Sequence, residues 1–378
     1  LSKFLIKIIK LSFIAVLLFS MISISVRAQE GILEGPHILL DYDSGKVLME
    51  KDAFQRWHPA SLTKMMTAYV VFRKIREGKL TLKSPVYYSR NASRRPPSKM
   101  GFKVGSVFNI ENALKMIIVK SANDVAVAIA ESVSGSVEAF AREMNKTARD
   151  IGMRDTNFVN PHGLHDNNQY SSVRDMALLV MAIGKEFPQY APLFKIEAIQ
   201  YGKRVYQSYN KLLQRFQGAD GMKTGYVCAS GFNLAASATR SGKRLIAIVF
   251  GERSGARRAI AAAKLLHEGF AGQHRGKTNI KKLKPRGTEI SRPINMRNKI
   301  CPPRKKRKKK SAKKTKKKPI DPQLTLKGSR YLHNRVQHQK PVVIRLGDTI
   351  GTNAAGIRLP NGKFLALADI PIPTKRPN

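Results

Sequence analysis

Three short motifs carry residue types that can do chemistry together. Ser61-Leu62-Thr63-Lys64 places a hydroxyl and an amine three residues apart, on one face if the segment is a helix. A serine hydroxyl alone is a poor nucleophile, and a lysine whose pKa is lowered by desolvation or a neighbouring cation is a base able to activate it. Ser121-Ala122-Asn123 offers a second hydroxyl and an amide. Residues two apart share no helix face, so both side chains reach one cleft only if this tripeptide is a turn. Lys223-Thr224-Gly225, preceded by Asp220-Gly221, combines a cation, a hydroxyl and a glycine on an expected edge strand. That set makes a carboxylate receptor, with Gly225 letting a substrate backbone lie close against the strand. Each motif has a plainer reading by itself: a helix cap for the two serines, a solvated strand end for the third. Occurring in this order, about 60 and 100 residues apart, they read as one site for attack on a carbonyl beside a free carboxylate.

The elements that would position them are legible around the motifs. His37 to Asp52 gives two short apolar runs about Asp43-Ser44-Gly45, a hairpin signal. A helix is expected from Pro59 to Ile75, with Leu62, Met65, Met66, Tyr69 and Phe72 at helical spacing and Pro59 tolerated in the first turn. Residues 110–183 read as helix-rich, broken at Asn160-Pro161-His162-Gly163. Residues 220–250 return to strand character, with a hairpin at Thr239-Arg240-Ser241-Gly242, and an amphipathic helix is expected from Ser254 to Phe270. Strands at both ends with helices between them predict an α+β domain. Its antiparallel sheet would be flanked by helices, carry an inserted helical lobe and close near residue 272.

The 378-residue chain carries 69 Lys+Arg against 25 Asp+Glu, a formal net charge of +44, with 42% hydrophobic residues and two cysteines. This composition excludes a fully disordered chain, a collagen-like fibre, a disulfide scaffold and a polytopic membrane protein. The charge is concentrated in an appendage, since residues 275–318 hold 21 basic groups against one acidic, and residues 304–318 hold 12 Lys/Arg in 15. Such a run cannot bury apolar surface and reads as disordered. Residues 1–28 read as a cleaved signal peptide, with Lys3, Lys7 and Lys10 before an apolar run and Val26-Arg27-Ala28 before Gln29; an uncleaved membrane anchor is the alternative. Either outcome is export, which argues against a nucleic-acid partner for the basic charge. The expected organisation is thus a signal at 1–28, a catalytic domain at 29–272, a basic low-complexity linker at 273–318 and an extension of unassigned fold at 319–378. Cys228 and Cys301 are expected to be free thiols, because one lies in the body and the other in the basic stretch.

The segments PASLTKMMTAYVVF (Pro59 to Phe72), SANDVAVAIAE (Ser121 to Glu131), His162-Gly163-Leu164 followed by YSSVRDMALL, and DGMKTGYVCASGFNLAASA together resemble the D-alanyl-D-alanine carboxypeptidases. These are the low-molecular-mass penicillin-binding protein family, with the serine β-lactamase-like fold. The resemblance spans about residues 29–272. It implies that Ser61 attacks the carbonyl between the terminal D-alanines of a peptidoglycan stem peptide and forms an acyl-enzyme that water hydrolyses. Lys64 would be the base, Ser121 would pass a proton towards the leaving amine with Lys223 assisting, and Asn123 would bind the substrate amide. Backbone N–H groups of Ser61 and Tyr226 would form the oxyanion hole. Thr224 would hold the free carboxylate, with Arg258, or else the adjacent Arg257, as its ionic partner. His162 reads as structural. The resemblance implies β-lactams as inhibitors, and no metal or cofactor.

Two departures from many relatives stand out. Tyr226 occupies the place where some members have histidine, and Pro319, Pro322, Pro371, Pro373 and Pro377 interrupt any C-terminal amphipathic anchor helix. The rival activities on this fold are a DD-endopeptidase and a β-lactamase. No E-x-x-L-N pentapeptide of the kind many class A β-lactamases use lies between Ser121 and Lys223. A non-catalytic cell-wall-binding protein is the rival of another class. The basic run is expected to hold the enzyme against an anionic membrane or envelope polymer, each cation adding about 1 kcal/mol near the surface. Deleting residues 304–318 should then lower the membrane-bound fraction at low salt, and an unchanged fraction would refute that role.

Overall fold

The computed structural model describes residues 32–285, 292–303 and 321–347, together with the backbone of a strand pair at Gly356–Arg358 and Phe364–Ala366. The expected signal peptide and the basic run 304–318 lie outside the described residues. Gly35 opens one contact unit that runs to the C-terminus, and Leu1–Glu34 form another.

Along the chain the strands are β1 (His37–Asp41), β2 (Val47–Lys51), β3 (Pro85–Tyr87), β4 (Val107–Asn109), β5 (Ala198–Tyr201), β6 (Arg204–Gln207), β7 (Ala219–Val227), β8 (Gly231–Arg240), β9 (Lys243–Glu252) and β10 (Val342–Val343). The helices that matter for the site are α1 (Thr63–Arg76), α2 (Ile110–Lys115), α3 (Asn123–Ser134), α4 (Val137–Asp150), α5 (Val173–Glu186) and α6 (Gly255–Phe270). The main sheet has the order β2-β1-β9-β8-β7, antiparallel throughout, so the first strand of the domain lies beside the last and β7 is left at one edge.

The central strand β9 reads as an unbroken apolar run because it is covered on both faces. Ile246, Ile248 and Phe250 join Ile38 and Leu40 in the main apolar cluster, which also holds Met65, Met66, Val70 and Phe72 of α1 and Met176, Leu179 and Ile183 of α5. On the opposite face α6 closes down at Gly269, where a Cβ would lie 2.8 Å from Leu245 Cδ1 and 2.9 Å from Leu39 Cδ2. Each fully buried Ile or Leu here contributes roughly 1.5–3 kcal/mol. Both expected hairpins form. In the first, Asp41 Oδ1 accepts from Ser44 N and Oγ while Gly45 takes a φ of +67°. In the second, Gly242 supplies a φ of +76°. Ser136, Ser172 and Ser254 cap α4, α5 and α6 by accepting from the N–H three residues on. The α+β sandwich with its inserted lobe, α2 to α5, is the architecture the sequence predicts.

Beyond residue 272 the structure differs from the expected linker. Thr278 O accepts from Val47 N (2.9 Å), Ile280 N donates to Gly45 O (2.9 Å), and Ile280 is fully buried. Residues 294–301 run beside Trp57 and the β7–β8 turn. Further on, β10 adds to β5 in parallel, and Gly347 N donates to Val107 O (2.9 Å). The apolar anchors Ile280, Ile294, Met296, Leu332 and Ile344 are scattered singly among polar residues, so no period of 2 or 3.6 announces them. The two cysteines are not free: Cys228 and Cys301 form a disulfide. The expectation failed because it took Cys301 to sit in a flexible segment, whereas Met296 N donating to Ala229 O at 2.8 Å brings that segment against the turn that carries Cys228.

Candidate active site

Ser61 lies in a single 3-10 turn, Ala60–Leu62, that runs directly into α1. Its N–H thus belongs to the helix start, where backbone donors have no intrahelical partner and the dipole favours negative charge. The turn is wedged between two glycines. A Cβ at Gly163 would lie 1.9 Å from Ala60 O, and one at Gly225 would lie 2.8 Å from Pro59 O and 3.0 Å from Ser61 N. The neighbour that needs the missing side chain of Gly225 is therefore the turn of Ser61 itself, a tighter constraint than the substrate approach read from sequence.

Lys64, the second residue of α1 and one turn beyond Ser61, is fully buried. Its Nζ lies 2.9 Å from Ser61 Oγ, 2.8 Å from Asn123 Oδ1 and 2.5 Å from His162 O. Burial, reinforced by the charge of Lys223, holds its pKa well below that of an ordinary lysine, and Asp124 offsets this only in part. Two of the three partners, the amide oxygen and the carbonyl, can only accept. A neutral amine has two N–H bonds and one lone pair, so with both N–H bonds directed at those acceptors the lone pair faces the Ser61 hydroxyl.

Ser121 ends the π-helical turn Met116–Lys120 in the left-handed region, with φ of +61°, and Asn123 opens α3 immediately after it. The tripeptide is therefore a turn, as its chemistry requires. Asn123 is held from the other side, its Nδ2 donating to Pro96 O (3.0 Å) and its N–H to Ser98 O (2.7 Å). Next along α3, the buried Asp124 accepts from Tyr88 OH (2.8 Å) and from the N–H groups of Met100 and Gly101 (2.9 Å each), fixing the 96–101 loop against the site.

On the edge strand, Lys223 is buried, donates to Thr224 O at 3.0 Å, and has its pKa lowered to about 7 by burial and by Arg258. Thr224 is buried beside it. Arg258 reaches from α6 to Gly225 O (3.1 Å) and Tyr209 O (3.3 Å), and burial pushes its pKa down to about 10. Arg257 turns away to Glu252, 3.3 Å from its carboxylate, so Arg258 is the one that reaches the motif. Tyr226, 43% exposed, stands at the open end of the strand. Among the sequence candidates, Ser61, Lys64 and Asn123 are joined by direct hydrogen bonds, and Lys223, Thr224, Gly225 and Arg258 form a second connected group packed against the Ser61 turn. His162 contributes its carbonyl to Lys64. Its ring Nδ1 accepts from Leu164 N (3.1 Å), and burial, with Lys64 and Arg95 nearby, keeps the imidazole neutral.

Several positioning groups escape the motif reading. Asn233, in mid-strand on β8, donates to His58 O (2.9 Å) and Pro59 O (3.3 Å) and accepts from Gly251 N (3.0 Å), anchoring the approach to Ser61. An asparagine inside the apolar run FNLAASA was a usable signal, because strands disfavour it. Trp57, the single tryptophan, donates from Nε1 to Ser230 O (2.8 Å). Gln169 donates to Thr63 Oγ1 (3.2 Å) while accepting from Val159 N and Asn160 N, tying α1 to the 159–163 loop. Among the described residues no cluster of His, Cys, Asp or Glu could hold a metal ion, and no helix is long and apolar enough to cross a membrane.

A Ser-x-x-Lys pair with a buried lysine at a helix start, completed by an Asn turn and a Lys-Thr-Gly edge strand on an α+β sandwich, defines the class of the penicillin-recognising serine enzymes. Residues 25–254 match the D-alanyl-D-alanine carboxypeptidase family of peptidases, and the chain belongs to that family. It is 39% identical over 247 residues to a D-alanyl-D-alanine carboxypeptidase of Haemophilus influenzae, an alignment covering 64% of this chain and 63% of that protein. Among solved structures it resembles penicillin-binding protein 5 from Haemophilus influenzae, at 38% identity and a TM-score of 0.61, over 64% of this chain and 71% of that one. It also resembles penicillin-binding protein D2 from Listeria monocytogenes in its ampicillin-bound form, at 26% identity and a TM-score of 0.59, over 64% and 99% of the two chains. The chain spans less than two thirds of the length of the Haemophilus carboxypeptidase, and its own residues 255–378 fall outside the family match.

Proposed function

We propose that this protein is an exported serine D-alanyl-D-alanine carboxypeptidase that removes the terminal D-alanine from peptidoglycan stem pentapeptides and is acylated by β-lactams. The observation that carries this is the hydrogen-bond set of Lys64. Because Asn123 Oδ1 and His162 O take its two N–H bonds, the neutral amine accepts the Ser61 proton as Oγ attacks the carbonyl. The Oγ–C bond forms as the proton moves to Nζ. The tetrahedral oxyanion is received by the N–H groups of Ser61 and Tyr226, each such donor contributing roughly 3 kcal/mol. Proton return to the leaving D-alanine amine goes by way of Ser121, with Lys223, whose pKa near 7 suits transfer in either direction, behind it. Water then releases the acyl group and restores Ser61.

Thr224 takes the free carboxylate, and Arg258 supplies the positive charge behind it, held in place by the carbonyls of Gly225 and Tyr209. This receptor limits the enzyme to peptides that end in a free carboxylate one residue beyond the scissile bond. Labelling with a reporter penicillin, proteolysis and peptide mapping test the reading. A long-lived adduct on the peptide containing Ser61 is expected. Rapid turnover without accumulation would move the protein to the β-lactamases, and no adduct would leave it a wall-binding protein.

A further inference from the structure

Tyr226 is held from two sides by groups that lie outside the three motifs. Its ring stacks on Phe232, the residue opposite it on β8, with centroids 4.2 Å apart and planes at 28°. Its hydroxyl lies 3.4 Å from Cys301 Sγ and 3.9 Å from Cys228 Sγ. The disulfide is the end of a longer seam. Ile294 pairs with Trp57 and donates to Arg56 O (3.3 Å), Met296 donates to Ala229 O (2.8 Å), and Cys301 closes onto Cys228. Residues 294–301 therefore join the segment at Arg56-Trp57, which leads into Ser61, to the turn that leaves β7, and the Tyr226 hydroxyl lies against the disulfide at the end of that seam. Side chains alternate along a strand, so Thr224 and Tyr226 share one side of β7, about 7 Å apart. With a peptide carboxylate at Thr224, that distance brings the ring level with the acyl side of the scissile bond. A large ring fixed before the ligand arrives loses little entropy on contact.

We propose that Tyr226 is a specificity-determining residue for the acyl portion of the substrate, an aliphatic side chain upstream of the scissile bond, and that Cys301 is the positioning residue that fixes its ring through the disulfide. The proposal rests on the acyl-transfer reading above. It also makes the support of the Tyr226 ring responsive to thiols. A dithiol delivers two electrons and two protons to the Sγ–Sγ bond, giving two thiols as the dithiol closes to its own disulfide, and Tyr226 loses one of its two supports.

The full chain is compared with Cys228→Ser/Cys301→Ser, with Tyr226→Ala and with the triple variant, on acetyl-D-Ala-D-Ala and on a diacetyl-Lys-D-Ala-D-Ala peptide that adds an aliphatic side chain. Removing the disulfide should raise KM for the lysyl peptide about fivefold with kcat nearly kept, and should leave the short peptide unaffected. Tyr226→Ala, whatever it does to turnover of both peptides through the oxyanion hole, should raise the KM ratio of the lysyl to the short peptide by a similar factor, and the triple variant should add nothing further to that ratio, as for coupled neighbours. Should the cysteine variant fail to fold, wild-type protein reduced by dithiothreitol and capped with iodoacetamide under native conditions supplies the same comparison. Equal effects on the two peptides, multiplicative effects in the triple variant, or an unchanged KM would overturn the proposal and leave the disulfide a staple. Absence of any penicillin adduct on the oxidised wild type would instead overturn the acyl-transfer reading beneath it.

Discussion

Ser61→Ala is expected to abolish penicillin labelling and to lower kcat/KM on a D-Ala-D-Ala peptide by at least about 10,000-fold, since a nucleophile acts as a unit with its base. The same change should shift the thermal midpoint by no more than about 2 °C. The two expectations follow from separate features. Ser61 Oγ is the hydroxyl bonded to Lys64 Nζ, and in the proposed reaction its removal leaves Lys64 with nothing to activate. Its structural part is small, because Leu62 and Ala60 on either side carry the burial of the turn, and Lys64 keeps Asn123 Oδ1 and His162 O as partners. Labelling retained in the variant would place the nucleophile elsewhere. A loss of labelling accompanied by a large fall in the melting temperature would mean that Ser61 holds the turn together rather than reacting.

The division between what the sequence discloses and what it hides follows contact range. Ser61 and Lys64 are one helical turn apart, and the hairpins at Asp43-Ser44-Gly45 and Ser241-Gly242 are set by local turn chemistry, so both are written in adjacent residues. The inserted lobe is legible for the same reason, its serine caps and apolar spacing lying within each helix. The third partner of Lys64 is not, because it is a backbone carbonyl at residue 162, and any residue type supplies one. The choice of Arg258 over Arg257 needed the helix phase relative to β7, which sequence left open. The disulfide was hidden behind a sound local inference: a strongly basic, apolar-poor neighbourhood suggests a solvated linker. Single anchors such as Ile280 and Met296, each meeting one site on the body, overrode it. Net charge described the neighbourhood and said nothing of those few contacts.

Replacing Lys64 separates its charge from its basicity. Lys64→Arg keeps a cation near the same place, but a guanidinium stays protonated and has no lone pair to receive the Ser61 proton. Lys64→Met removes both properties. If Lys64 acts as the base, both variants lose acylation by about 1,000-fold or more. If its contribution is the positive charge alone, the arginine variant retains most of the rate. The pH profile of the wild type gives the same distinction without mutation. Burial and Lys223 favour the neutral amine, so acylation by penicillin should climb as pH rises through the depressed pKa of Lys64 and then level off while the solution is still well below the pKa of a free lysine. Below that midpoint Nζ carries three protons and its lone pair is gone, and the rate falls by tenfold per pH unit. A requirement for the charged amine would give the opposite slope, with acylation failing as the solution becomes alkaline. The residual rate of Lys64→Met, measured by stopped-flow labelling across the same range, should lack the rising limb. Should that limb persist in the variant, the titrating base is another group, and Lys223, with its pKa near 7 and its place on the facing strand, is where the assignment would move.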